Sequence, residues 1–327
     1  MIYEYAVEPA LVAEWARSET IGLAPQFGLD HRRLVSDFPF NWEGEVTWKL
    51  LESFGADASD PDYIAAQNYL SVLLDYMTHN MSDRQHMSTS KPWVEQALAV
   101  HSSEPFHAIL ARKEIVGQAR VITPDIVDLL RDTRWYLPTV NLTAKTADAL
   151  ALQLEPLLRT AKQIVLVDPY FKPTFSTYSK VLERMLEHAI KGRAPGRTFP
   201  EFTILAGVGD RDPVARGLPV QTQLQNEAAH RCRSALDHLG AFVPIGMSVK
   251  FQCISEKLSG DSVHNRYLLT DMGGACIPYG TEELGDQVFD DITPLFAGQY
   301  RSRWRQYGKG EGVLAVGSPV TVPGTKV

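Results

Sequence analysis

The stretch "TAKTADALALQLEPLLRTAK", residues 143–162, runs without a break into "QIVLVDPYF". The first segment has the periodicity of an amphipathic helix, and the second is a continuous apolar run of strand length. A strand without polar alternation needs cover on both faces, which in a water-soluble chain means a sheet between helices. The pairing recurs. "STYSKVLERMLEHAIKG" (176–192) precedes "EFTILAG" (201–207), and "QTQLQNEAAHRCRSALDHLG" (221–240) precedes "SVKFQCI" (248–254) and "VHNRYLLTD" (263–271). "ACIPYG" reads as a further strand and "AGQYRSRWRQYG" as a closing helix. Ahead of them, "FHAILAR" is a candidate strand. "TPDIVDLLRDT" is a short helix with Thr123 as N-cap and Pro124 in its first turn. Alternating helices and apolar strands predict a layered α/β domain over residues 105–312. The terminal "GSPVTVPGTKV" reads as a loose end, so residues 313–327 are expected to form a tail.

Residues 1–104 have a different texture and predict a mostly helical region. "VEPALVAEWARS" and "EGEVTWKLLESFG" read as helices, with "DFPFNW" as a turn between them. "DPDYIAAQNYLSVLLDYMTHN" sets Ala66, Tyr69, Leu70, Leu73 and Met77 at helical spacing. "MSDRQHMSTSKP" (81–92) is polar and irregular, hence a loop. His79, His86, His101 and His107 share no helix face at metal-ligand spacing, so neither a metal nor another cofactor is expected.

Charge divides the chain in the same way. Residues 1–140 carry 11 Lys and Arg against 20 Asp and Glu, and the remainder carries 21 against 19. An anionic ligand therefore belongs to the back half, and the front half has a solvated acidic surface. No stretch approaches the roughly 18 apolar residues of a membrane helix. The first residues, "MIYEYAVEPALVAEW", lack the basic start of a signal peptide. Cys232, Cys253 and Cys276 are widely spaced. That excludes a disulfide framework or zinc knuckle and predicts a reducing, cytoplasmic setting.

Ligands of open α/β sheets gather where strands end. Three strand ends here are polar: Asp168-Pro169-Tyr170-Phe171, the loop "GVGDRDPVARG" with Arg211 and Arg216, and "DSVHNRYLLTDMGGACIPYGTEE" (261–283). Asp168 also reads as the cap of a turn that Pro169 enforces.

In the third stretch, His264-Asn265-Arg266-Tyr267-Leu268-Leu269-Thr270-Asp271 resembles the H-x-K-x4-D core of the phospholipase D superfamily, with arginine in the lysine place. Gly280-Thr281-Glu282-Glu283 is similar to the G-S-x-N element that follows that core. "AKQIVLVDPYF" looks like an early strand of such domains and "YRSRWRQY" like their closing helix, so the resemblance covers about residues 140–307. It implies a phospholipase D-like three-layer α/β/α domain and metal-independent phosphodiester transfer through a phosphohistidine. On that reading His264 is the nucleophile or acid, Arg266 clamps phosphate, Asp271 orients the site and Thr281 supplies a hydroxyl. Asp168, Tyr170, Arg211, Arg216 and Gly280 are candidate substrate contacts.

Three departures accompany the resemblance. The chain carries one motif, whereas the reaction uses two histidines, so two copies must pair as a homodimer. Arginine for lysine exchanges a point charge for a planar fork, which favours binding over turnover. Glu283 stands where the family has asparagine, and a carboxylate there repels phosphate unless it is paired. The expected function is a nuclease-type phosphodiesterase, by analogy in phage defence or DNA processing. The alternative is a catalytically silent module that binds nucleic acid or a partner protein as an adaptor, with the N-terminal region available to a partner.

Overall fold

The computed structural model describes all residues except 80, 85, 114, 116, 125–131, 133, 138, 139, 192–198, 209–219, 256–264, 314 and 327. The chain forms two compact units, one of residues 2–138 and 192–196 and the other of residues 1, 139–191 and 197–327.

The N-terminal unit is not mostly helical. It is an α/β domain around a parallel sheet of β1 (Tyr3–Val7), β2 (Arg33–Asp37), β3 (Ser82–Asp83), β4 (Ala108–Leu110) and β5 (Val121–Ile122). The strand order is β3-β2-β1-β4-β5. Helices α1 (Pro9–Arg17), α2 (Trp42–Glu52) and α3 (Pro61–Met77) occupy the helical stretches expected, and α4 (Trp93–Ser103) is added. Leu11, Val12, Trp15, Val46, Leu50, Leu70 and Leu73 join Tyr5, Val7, Val35 and Leu110 in one core cluster. Ala97 of α4 meets Ala6, Ile109 and Val121 in a second cluster. β4 lies within the candidate strand "FHAILAR", while β1, β2, β3 and β5 escape sequence reading because they are short and, in β1, β2 and β3, carry charge. Glu4 in β1 is buried, and its carboxylate accepts from Ser36 Oγ (2.9 Å), Ser82 Oγ, Arg84 Nε (2.8 Å) and Arg84 Nη2 (2.6 Å). A buried charge satisfied in this way breaks the apolar run that marks a strand. Since β4 and β5 complete this sheet, the division falls near residue 138 rather than at 104. "TPDIVDLLRDT" lies mostly outside the described residues.

The C-terminal unit is mixed α/β. Its strands are β6 (Asn141–Lys145), β7 (Gln163–Val167), β8 (Glu201–Val208), β9 (Ser248–Ser255), β10 (Tyr267–Thr270), β11 (Gly273–Cys276), β12 (Gly285–Pro294) and β13 (Ala315–Pro323). They form one sheet in the order β13-β9-β8-β7-β10-β11-β12-β6. β7, β8 and β9 run parallel, and every other pairing is antiparallel. The expected loose tail is thus largely an edge strand, β13, held against β9. Its Gly317 kink and polar alternation hide it in the sequence.

Helices α5 (Ala147–Thr160), α6 (Ser176–Ile190), α7 (Val220–His238) and α8 (Ala297–Arg303) complete the unit. α5 starts at Thr146, whose hydroxyl accepts from Ala149 N at 3.2 Å, so residues 143–145 of the predicted helix belong to β6. Phe171 packs on Phe251 and on Tyr178 of α6, while Cys253 Sγ lies 3.8 Å from Ala228 O of α7. Tyr267, on the opposite face of the sheet, packs on Tyr307 of the π-turn 304–308 that follows α8. Helical segments therefore cover both faces.

β10 runs against β7, with Tyr267 opposite Val167 and Thr270 opposite Ile164. The start of β10 therefore lies at the edge where β7, β8 and β9 end. Asp168, Ser255 and Arg266 share that edge.

Candidate functional site

Asp168 leaves the end of β7 almost wholly buried, at 1% exposure. Its Oδ1 accepts from Tyr170 N at 3.0 Å, closing the turn at Pro169. Its Oδ2 accepts from Thr281 N at 2.9 Å and from Thr281 Oγ1 at 2.8 Å. Asp168 thus caps a turn and ties the β7 end to the 280–281 turn.

Arg266 stacks on Tyr170, with its guanidinium carbon 4.5 Å from the ring centroid, and donates from Nη1 to Pro278 O at 2.5 Å. Its Nε is buried and has no hydrogen-bond partner. Gly280 lies beside it at φ +75°, and a Cβ there would stand 3.0 Å from Asp168 Oδ2 and 3.2 Å from Arg266 Nε. Glycine is required both for the backbone angle and for this close approach.

Beneath these groups lies Lys145, at the end of β6 and 0% exposed. Its ammonium donates to Gly280 O and, at 3.3 Å, to Tyr279 O. Burial pushes its pKa down, while Asp290 and Asp168 push it back up. Asp290, on β12, accepts from Tyr279 N at 3.0 Å through Oδ2, and its Oδ1 has no partner. Burial raises the Asp290 carboxyl above the ordinary aspartate range. Tyr178 is also raised, by burial and then by the charges of Asp168 and Glu282. Glu282 accepts from Thr177 Oγ1 at 3.3 Å and Tyr178 OH at 3.5 Å.

Asp290 gives a pH signature. Between the unfolded aspartate pKa and the raised folded value, the folded chain holds a proton that the unfolded chain has lost. Stability therefore rises as pH falls through that window. Asp290→Asn should remove this component. Urea unfolding of wild type and variant from pH 4 to pH 7 should give a stability difference that varies with pH, and a constant difference would contradict it.

The structure brings together Asp168, Tyr170, Arg266, Gly280 and Thr281, and separates two other candidates. Asp271 does not orient this cluster. It follows β10 at the opposite sheet edge, roughly 17 Å along the strand from Arg266. There its Oδ1 accepts from Lys162 N at 2.9 Å and Gln163 N at 3.1 Å, fixing the start of β7. Glu283 turns to the start of α5, accepting from Ala147 N at 3.2 Å and pairing with Lys180 at 3.5 Å. Its charge is thereby balanced by a lysine and a helix start. Thr281 is 1% exposed and commits its hydroxyl to Asp168. His264, Arg211 and Arg216 lie outside the described residues.

Sequence reasoning missed Lys145, Asp290, Glu282 and Tyr178, and also Ser255. Ser255 ends β9 at 2% exposure with an unpartnered hydroxyl. The adjacent aspartates of "VFDDI" inside an alternating stretch were the one available signal for Asp290. Chemically, the cluster offers a fixed, stacked guanidinium beside a rigid Asp–Thr–Gly turn. Among the described residues no group of His, Cys, Asp and Glu gathers to hold a metal, and no helix is long and apolar enough to cross a membrane. Cys232, Cys253 and Cys276 are all free. No protein-family model matches this chain, and no curated protein matches it.

Proposed function

We propose that the C-terminal unit is a metal-independent phosphodiesterase of the phospholipase D type, acting on nucleic acid. The observation that carries this reading is Arg266. Two residues after the motif histidine, it stands at the sheet edge where ligands of α/β folds bind, stacked on Tyr170 and with an unmatched buried Nε donor. Asp168 holds Thr281 of the second element of the resemblance, and the adjacent Gly280 lies against Arg266 of the first.

In the proposed reaction a neutral His264 nitrogen attacks phosphorus. A P–N bond forms, the P–O bond to the leaving group breaks, and a second histidine gives that oxygen its proton. Water then attacks the phosphohistidine: a P–O bond forms, the P–N bond to His264 breaks, the water's proton passes to the second histidine, and a phosphomonoester is released. Imidazole suits both tasks because its pKa lies near neutrality. Arg266 holds the non-bridging oxygens as charge shifts onto them. The second histidine comes from a second copy of the chain, since an isologous contact presents one residue twice. Such a protein works in the cytoplasm, and phage defence or DNA processing is the setting suggested by analogy.

The test is incubation with single- and double-stranded DNA and with RNA in excess EDTA. Cleavage should persist in chelator and disappear in His264→Ala. Activity that EDTA abolishes and magnesium or manganese restores would reject the mechanism. The protein should be a dimer at micromolar concentration by light scattering. Mixing His264→Ala chains with wild type under subunit exchange should lower activity in proportion to the wild-type homodimer fraction.

A second reading is a silent adaptor that binds a phosphate-bearing ligand or a partner protein. Arginine in the lysine place and a Thr281 hydroxyl already given to Asp168 favour it. Binding of nucleic acid without cleavage in any buffer would select it.

A further inference from the structure

The N-terminal unit contains a second polar site, separate in sequence and chemistry from the Arg266 cluster. The order β3-β2-β1-β4-β5 reverses direction between β1 and β4. At such a point the loops after the two strands diverge to opposite faces and leave a crevice at the carboxyl edge of the sheet. A groove of about 840 Å³ lies there, within the size range of small-molecule sites.

Its floor is a built pair. Glu8 follows β1 at 7% exposure. Its carboxylate accepts from Arg112 N at 2.7 Å and Nε at 2.9 Å, and Arg112 Nη2 lies 2.9 Å from Oε1. The guanidinium is fixed on that edge, while the Arg112 side chain remains 47% exposed, with Nη1 left for a ligand. Beside it runs Ser88-Thr89-Ser90-Lys91, which lines the same groove. Gln96, 9% exposed, holds this loop through Thr89 N (3.0 Å), Thr89 O (3.2 Å) and Lys91 O (2.6 Å). A fixed arginine, a lysine and clustered hydroxyls are the groups that hold a phosphate.

The groove continues along α1 and α2 past Glu14, Arg17 and Glu45, with the Arg17 guanidinium over the Phe54 ring and Lys49 paired to Glu52 at 2.7 Å. Glu14 and Glu45 accept hydrogen bonds and donate none, so these two carboxylates favour a body that carries N–H donors. The β1–α1 turn has no glycine, and Glu8 fills it with negative charge. That opposes a pyrophosphate laid across the start of α1, so a dinucleotide is disfavoured.

We propose that this groove binds a nucleoside monophosphate bearing an amino base, with the phosphate at Arg112 and Lys91 and the amino group toward Glu14 and Glu45. The site is independent of the phosphodiesterase reading and stands if that reading fails.

The test is isothermal titration calorimetry of the full chain with AMP. IMP, which lacks the amino group, adenosine, which lacks the phosphate, inorganic phosphate and glutamate serve as comparison probes. AMP should bind, and IMP and adenosine should each bind at least about tenfold more weakly. Lys91→Ala, an exposed substitution, and Arg112→Gln should each weaken AMP by about tenfold or more, in the wild-type chain and in an Arg266→Ala background alike. Circular dichroism checks folding of Arg112→Gln, and Lys91→Ala carries the test if that variant fails to fold. No heat with AMP, GMP or CMP to millimolar concentration overturns the proposal. So does AMP binding that is indifferent to Lys91→Ala, or binding of glutamate or inorganic phosphate in preference to AMP.

Discussion

Lys145→Met should destabilise the C-terminal unit by about 2–5 kcal/mol, at about 1–3 kcal/mol for each buried polar group left without its partner. Two losses act together. The carbonyls of Gly280 and Tyr279 lose their ammonium donor in a site closed to water. Asp290, 1% exposed and already with one unpartnered oxygen, loses a cation that favours its charged form. Urea unfolding reads this as a lowered midpoint at constant slope. Adding Asp290→Asn should recover a substantial part of the loss, because the uncompensated charge is gone, and this cycle separates charge from packing.

The sign with pH is also set. The folded Lys145 pKa is depressed by burial, so between that value and the ordinary lysine pKa the folded chain has released a proton that the unfolded chain retains. Wild-type stability therefore gains a contribution as pH rises through that window. Lys145→Met should lack the gain. A Lys145→Met protein as stable as wild type at pH 7 would mean that the ammonium is dispensable to the 279–281 turn.

How much of this could be read from the sequence depended on which segments bury both faces. α5, β7, α6, β8, α7 and β9 lie within or near their predicted spans, because a covered parallel strand must be continuously apolar. β1 and β2 are not continuously apolar, because Glu4 and Ser36 are buried through hydrogen bonds rather than through apolar contact. β6 was hidden by the helix that follows it, since "NLTAK" merges with the α5 pattern and only the Thr146 cap marks the join. The candidate site divides similarly. Asp168, Tyr170, Arg266, Gly280 and Thr281 adjoin strand ends or turns, where a motif written along the chain maps onto one place. Asp271 shares the motif but not the place, because a four-residue strand intervenes and carries it to the other edge. Lys145 and Asp290 come from paired strands 145 residues apart in the chain, and no local pattern announces such a pair.

Arg266→Ala should lower kcat/KM for a phosphodiester by roughly ten- to a hundredfold for each charge-assisted hydrogen bond lost, at about 1.5–3 kcal/mol each. Arg266→Lys should not restore it. The native guanidinium is held over the Tyr170 ring and anchored through Nη1 to Pro278 O, which restricts its remaining donors. An ammonium supplies charge without that plane or that fork. Tyr170→Leu should then produce a smaller loss of the same kind, since it frees the guanidinium without removing it. The fold should tolerate all three changes better than it tolerates Lys145→Met, because Arg266 is only partly buried while Lys145 is fully so. Steady-state kinetics in EDTA, with circular dichroism of each variant, decide the matter. If Arg266→Lys matches wild type in both kcat and KM, the arginine acts as a simple point charge and the stacked geometry is incidental. If Arg266→Ala retains full phosphate-ligand affinity while folded, Arg266 serves the 278–281 turn alone, and the reading of this cluster as a phosphate site falls with it.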